Sequence, residues 1–204
     1  MNVLKKISAL STVIFLAVIG LFDFAEAKNG NSDETKKVLI VYFSQTGHTK
    51  TIADNVQKSL EDSGYSVDIK RIEPTKEYPE YGDELRNLAK KEANDDNCRP
   101  EFKDINCKIL SYDLILVGSP TWWYKAPKIV LSFLEKQDFA NKKVCFFITH
   151  GGGPGSCLED MKGASRNAIF GPHTTIYFTW PNDGTFDNKA FDNWIKKIKN
   201  ETEN

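Results

Sequence analysis

The sequence predicts an α/β fold: a five-stranded parallel sheet in the order 2-1-3-4-5, sandwiched between helical layers. Three observations predict it. Strand-like and helix-like segments alternate five times along the chain. Three of the strand segments, Val38 to Phe43, Asp113 to Gly118 and Val144 to Ile148, are apolar almost throughout, the pattern of strands covered on both faces. Two others, Tyr65 to Ile69 and Thr175 to Trp180, alternate apolar with polar residues and read as edges. Right-handed crossovers then put the reversal of strand order between the first and third strands. Ligands of such sheets bind beyond the carboxyl ends of the strands at that reversal.

The elements follow in order. Val38 to Phe43 enters Ser44-Gln45-Thr46-Gly47-His48-Thr49, and a helix starts at once, with Ile52, Val56 and Leu60 on one face. Ser63-Gly64 stops it before the alternating second strand. Pro74 to Gly82 is a loop. Asp83 to Ala93 is a helix with Leu85, Leu88 and Ala89 on one face, and Asn94 to Asn106 is polar and irregular. The third strand runs into Ser119-Pro120-Thr121-Trp122-Trp123-Tyr124. Pro127 then sits near the first turn of a helix, where its missing N–H costs nothing. The fourth strand leads through Thr149 into His150-Gly151-Gly152-Gly153-Pro154-Gly155. Leu158, Met161 and Ala168 predict a helix over Cys157 to Ala168, and Phe191, Trp194, Ile195 and Ile198 predict a last amphipathic helix.

The first residues read as a targeting segment. Lys5 and Lys6 precede an apolar run from Ile7 to Phe22, and Ala25-Glu26-Ala27 has the small-x-small pattern of a cleavage site. The run is shorter than the about 20 residues of a spanning helix. Residues 1–27 are therefore expected to be a signal peptide, 28–36 a polar linker and 37–200 the folded domain. Export follows, with membrane contact only through an uncleaved N-terminal segment. Net charge is −1, which gives no reason to expect nucleic acid. In an exported protein the four cysteines can oxidise, with Cys98 and Cys107 the expected pair across a short loop. No Cys/His spacing suits zinc.

Three loops carry the chemistry. The first, Ser44 to Thr49, collects backbone N–H groups at a helix start, where small residues let them converge on a phosphate. It lacks the spacing and lysine of GxxxxGK[ST] and holds one glycine where GxGxxG needs three, so it suits a single phosphate ester. An ordinary turn with a hydroxyl cap is the alternative. The second, Pro120, Thr121, Trp122, Trp123 and Tyr124, sets aromatic faces beside the crevice, as a planar heterocycle requires. One Trp ring is alternatively a core residue under the next helix. The third, Thr149, His150, Gly151, Gly152 and Gly153, lets backbone approach a ligand closely, or is a plain turn. His48 and His150 read as loop residues, since no Ser-His-Asp set or carboxylate pair accompanies them.

Together these motifs resemble the flavodoxin family. Ser44 to Thr49 resembles its [ST]xTGxT phosphate loop, Ser119-Pro-Thr-Trp-Trp its first ring loop, and Thr149-His-Gly-Gly-Gly the second ring loop of its short, Gly-rich branch. The resemblance implies non-covalent FMN, with phosphate on the first loop, the ring against Trp123 and Trp122 directed into the protein. It implies electron transfer to a partner protein or small acceptor. Such proteins commonly cover the second ring face with a Tyr after strand 4. Here that loop has none, which leaves an FMN-dependent reductase of quinones or similar acceptors as an alternative. A flavin-free binding module on the same fold is the third reading.

Overall fold

The computed structural model describes residues 35–179 and 185–203. The expected signal, most of the linker and Trp180 lie outside them. Among the described residues no helix is long and apolar enough to cross a membrane.

The element order is β1 (Lys37–Tyr42), α1 (His48–Glu61), β2 (Ser66–Arg71), α2 (Asp83–Ala93), a 3-10 turn (Ile109–Ser111), β3 (Leu114–Pro120), α3 (Lys128–Glu135), β4 (Lys143–His150), α4 (Cys157–Ala164), β5 (Ile169–Phe170), β6 (Thr174–Tyr177) and α5 (Asn188–Glu203). All strand pairs are parallel, in the order β2-β1-β3-β4, with β5 and β6 both on the outer edge of β4. The 2-1-3-4-5 order is therefore as expected, and β1, β3 and β4 are interior.

The fifth strand is split, which corrects the single run to Trp180. β5 pairs with the start of β4 and β6 with its end. Gly171-Pro172-His173 separates the halves. Pro172 has no N–H to donate to a ladder, and a Cβ on Gly171 would lie 2.5 Å from the Cys145 sulfur. Helix α4 also ends earlier than Ala168. The carbonyls of Arg166 and Asn167 accept hydrogen bonds from the N–H groups of Phe139 and Asn141, and Asn167 takes φ +57°, so the chain leaves the helical path. All four cysteines are free, so the Cys98–Cys107 pairing is not formed.

Alternation along the strands builds two cores. Val38, Ile40, Tyr42, Leu116 and Phe147 face α1 and α5, meeting Ile52, Val56, Leu60, Trp194 and Ile198. Leu39, Val41, Phe43, Val117 and Ile148 face the other layer, meeting Leu85, Ile129, Phe133 and Met161. Gly118 is required by packing: a Cβ there would lie 2.1 Å from the Phe147 ring. With both faces filled, the ends of β1, β3 and β4 are held in register, and the loops leaving them meet at one edge.

Candidate cofactor site

The first loop turns sharply into α1. Gly47, at φ +92° and ψ −22°, turns the chain into α1, a conformation that disfavours any residue with a Cβ. The first backbone bond of the helix runs from Thr51 N–H to Gly47 O at 2.9 Å, which leaves the N–H groups of His48, Thr49 and Lys50 ahead of it. Among the described residues, those of Gln45, Thr46 and Gly47 have no backbone acceptor either. Side chains fix the loop from outside. Gln45 Nε2 donates to Pro79 O at 3.0 Å, Arg71 Nη2 donates to Ser44 O at 2.9 Å, and Thr46 Oγ1 lies 3.3 Å from His48 Nδ1.

The aromatic loop is a two-residue reversal. Trp122 and Lys125 exchange both backbone hydrogen bonds at 3.0 Å, with Trp123 at φ +49° and Tyr124 at φ +62° between them. That is a type I′ arrangement normally filled by Gly or Asn. Two bulky side chains in the left-handed region cost about 1–2 kcal/mol each, and such strain concentrates at functional sites. Neighbouring elements hold the loop. Ser156 N–H donates to Tyr124 O at 2.8 Å and Ala126 N–H to Asp160 Oδ2 at 3.0 Å. Gly155 makes room: a Cβ there would sit 2.0 Å from Tyr124 O, at a φ of +55°.

The two Trp rings part company. Trp122 packs edge-on against Phe43 and Tyr78, at centroid distances of 5.3 and 5.2 Å. Trp123 is 47% exposed; its indole N–H donates to Arg86 O at 3.0 Å, and the Lys90 ammonium sits 5.0 Å from its centroid.

Thr149 joins the three loops. Its hydroxyl lies 2.8 Å from that of Thr49 in α1, and its carbonyl accepts the N–H of Thr121 at 2.8 Å. The resulting crevice is lined by Thr46, His48, Pro120, Thr121, Trp122, Trp123, Thr149, His150 and Gly151, together with Tyr81, Leu85, Arg86 and Ala89. The last four come from α2 and the residues before it. They were not legible as site residues, since Leu85 and Ala89 carry only the signature of a buried helix face. Ser44, Gln45, Gly47 and Thr49 shape the first loop without lining the crevice, and Tyr124, Gly152 and Gly153 do not line it either.

The polar accounting marks the same place. Among the described residues the buried side-chain atoms with no hydrogen-bond partner are Ser44 Oγ, His48 Nε2, Thr121 Oγ1 and His150 Nδ1. All four lie in the three loops. A buried orphan costs about 1–3 kcal/mol, so this clustering is what a site shaped for a polar ligand would show. Burial lowers the pKa of His150, favouring its neutral form. Burial pushes the Cys157 thiol up to about 12, so it is no nucleophile at neutral pH. No cluster of metal-ligating side chains occurs among the described residues. The groups present fit a phosphate on the first loop and a flat polar heterocycle beside the second and third.

A flavodoxin family profile matches residues 37–198. The chain belongs to the flavodoxin family. Among solved structures, a protein from Bacteroides eggerthii assigned as a flavoprotein is 25% identical with a TM-score of 0.59, covering 79% of this chain and 97% of that one. A flavoprotein from Lactobacillus acidophilus solved in complex with FMN is 20% identical with a TM-score of 0.58, covering 78% of this chain and 99% of that one. An NAD(P)H dehydrogenase (quinone) from Acidovorax ebreus is 30% identical over 100 residues, 49% of this chain and 46% of that protein. The chain thus spans about half the length of the curated relatives it matches. In flavodoxin terms β1, β3 and β4 each deliver one loop to the cofactor crevice.

Proposed function

We propose that this flavodoxin is an exported electron carrier. Its cofactor is FMN. The observation that carries the reading is a loop of free N–H groups beside a crevice into whose lining fall three residues with unpartnered buried polar atoms, His48, Thr121 and His150, next to Trp123. When bound, FMN supplies one- and two-electron transfer. The chain's part is to bind and orient. Gln45 to Lys50 would hold the phosphate through backbone N–H groups and the helix dipole. Trp123 would offer its exposed face to the ring, with His150 on the crevice wall. His48 Nε2 and Thr121 Oγ1 would supply hydrogen-bonding groups to the ligand. Among the described residues that line the crevice no carboxylate accompanies the two histidines, and we read the site as that of a carrier.

A second reading, an FMN-dependent reductase of quinones or similar acceptors, is favoured by the likeness to NAD(P)H dehydrogenases (quinone) and by a third loop without an aromatic cover. The absorption spectrum of the purified protein, followed by a reductive titration, tests FMN binding; a colourless protein that takes up no FMN refutes both readings. Steady turnover with NAD(P)H and a quinone selects the reductase. Export rests on the signal-like first 27 residues. Mass spectrometry of the native protein should find Lys28 at its N-terminus, and an intact Met1 in a soluble cytoplasmic fraction would refute it.

A further inference from the structure

A second cavity, of about 360 Å³, lies under α2 and shares no lining residue with the cofactor crevice. It is lined by Thr75, Lys76, Glu77, Tyr78, Leu88, Glu92, Pro100 and Glu101. Its size falls in the range of small-ligand sites. The two spaces meet neighbouring rows of the same buried face of α2: Leu85 and Ala89 line the crevice, Leu88 and Glu92 the cavity. The walls are the segments around Pro74 and Phe102, joined by a β-bridge and by Thr75 N–H donating to Glu101 O at 3.0 Å.

Glu92 is the unusual member. It is only 8% exposed, yet it belongs to a helix whose other charged residues point to solvent. One carboxylate oxygen, Oε2, accepts the Tyr78 hydroxyl at 3.1 Å. Among the described residues the other, Oε1, has no hydrogen-bond partner, and it is not among the fully buried orphan atoms, so it keeps some solvent access in a residue that lines the cavity. The nearby cation, Lys128, is itself buried and is paired with Asp96 at 3.5 Å. Desolvation raises the Glu92 pKa while Lys128 and the Tyr78 bond lower it, so the carboxylate is only partly compensated. Glu77, Glu92, Glu101 and Lys76 line the cavity, with Glu77 paired to Lys103 at 3.6 Å, and Tyr78, Leu88 and Pro100 give it an apolar floor. A buried carboxylate with a free oxygen, an apolar body beside it and acidic residues at the rim form the complement of an organic cation.

We infer that this cavity binds a small organic ammonium ion, with its hydrocarbon part on Tyr78, Leu88 and Pro100 and its N–H groups donating to Glu92 Oε1. The site is separate from the cofactor crevice and does not depend on flavin being bound there. The probe is 2-phenylethylammonium, titrated by calorimetry into the full chain with and without FMN, with 2-phenylethanol as the neutral control. Glu92→Gln keeps an acceptor for the Tyr78 hydroxyl and removes the charge. It should weaken 2-phenylethylammonium at least about tenfold, the scale of one charge-assisted hydrogen bond, and leave FMN affinity unchanged. Leu88→Trp fills the cavity while keeping the Glu92 carboxylate and should abolish binding. Equal affinity for the alcohol, an unchanged affinity in Glu92→Gln or in Leu88→Trp, or no saturable binding to the wild type would each overturn the inference.

Discussion

Replacing each neighbouring Trp by Ala should produce opposite effects. Trp122 meets Phe43 and Tyr78 edge-on within the core layer and is only partly exposed. Removing a core aromatic costs about 3–5 kcal/mol. Because the ring is not fully buried we take the lower end, ~3 kcal/mol, of which the two edge contacts contribute ~0.5–1.5 kcal/mol each. For a domain of this size each kcal/mol lowers Tm by about 2–4 °C, so Trp122→Ala should melt about 6–12 °C lower. Trp123 is half exposed and gives up one surface hydrogen bond to Arg86 O and the Lys90 contact. Those are worth ~0.5–1 kcal/mol each at an exposed site, so its melting point should fall by about 2–8 °C. Its flavin affinity should fall several-fold to about tenfold, since a lost stacking partner is worth on the order of 1 kcal/mol. Thermal unfolding of the apo-form and FMN titration by fluorescence quenching measure both quantities. If Trp122→Ala loses flavin while Trp123→Ala loses stability, the two roles are exchanged. If neither changes flavin affinity, the aromatic loop is not the ring site.

Three further outcomes are expected. Thr46→Glu puts a carboxylate into the N–H cradle and should abolish FMN binding, and riboflavin should bind the wild type much more weakly than FMN; equal affinities in a fluorescence titration would remove the phosphate loop from the argument. Gly155→Ala drives a Cβ to 2.0 Å from the Tyr124 carbonyl at a positive φ and should destabilise by roughly 2 kcal/mol or more, read as a denaturation midpoint shift; an unchanged midpoint would show that the loop relaxes freely. Burial lowers the pKa of His150, and burial with the Lys162 charge lowers that of His173. The unfolded chain therefore binds more protons below the ordinary value of 6.5, so their contribution is complete above that pH and is lost as pH falls toward the folded values. Melting points should decline from pH 7 to pH 5, and the double variant His150→Gln/His173→Gln should flatten the decline; an equally steep decline in the variant refutes the assignment.

The strand order was legible because alternation distinguishes edge from interior strands without any knowledge of contacts. The three loops were legible for the same reason, since the topology sends them to one edge. The break in the fifth strand had a local signal, Gly171-Pro172, but the alternation after it was the louder pattern. The end of α4 had none: it is set by hydrogen bonds between Arg166 and Asn167 and a loop far away in sequence. The same holds for Tyr81, Leu85, Arg86 and Ala89: α2 is tied to the crevice by residues distant in sequence, Trp123 Nε1 donating to Arg86 O and Lys125 Nζ to Ala93 O. Spacing suggested a Cys98–Cys107 bridge, but spacing says nothing about where the two sulfurs point.

Thr149 has a consequence for selectivity. Its hydroxyl fastens the helix that carries the phosphate cradle, its carbonyl fastens the aromatic turn, and its own strand continues into the glycine loop. The separation between the cradle and the ring platform is thus held by this residue's two hydrogen bonds of 2.8 Å on top of the strand register. The protein holds a ruler as well as a charge complement. A ligand with the right ends on a spacer one atom too short or too long meets two anchors that cannot slide independently. Thr149→Val would cut the hydroxyl link to the cradle and keep the carbonyl link to the aromatic turn, turning a fixed span into an adjustable one.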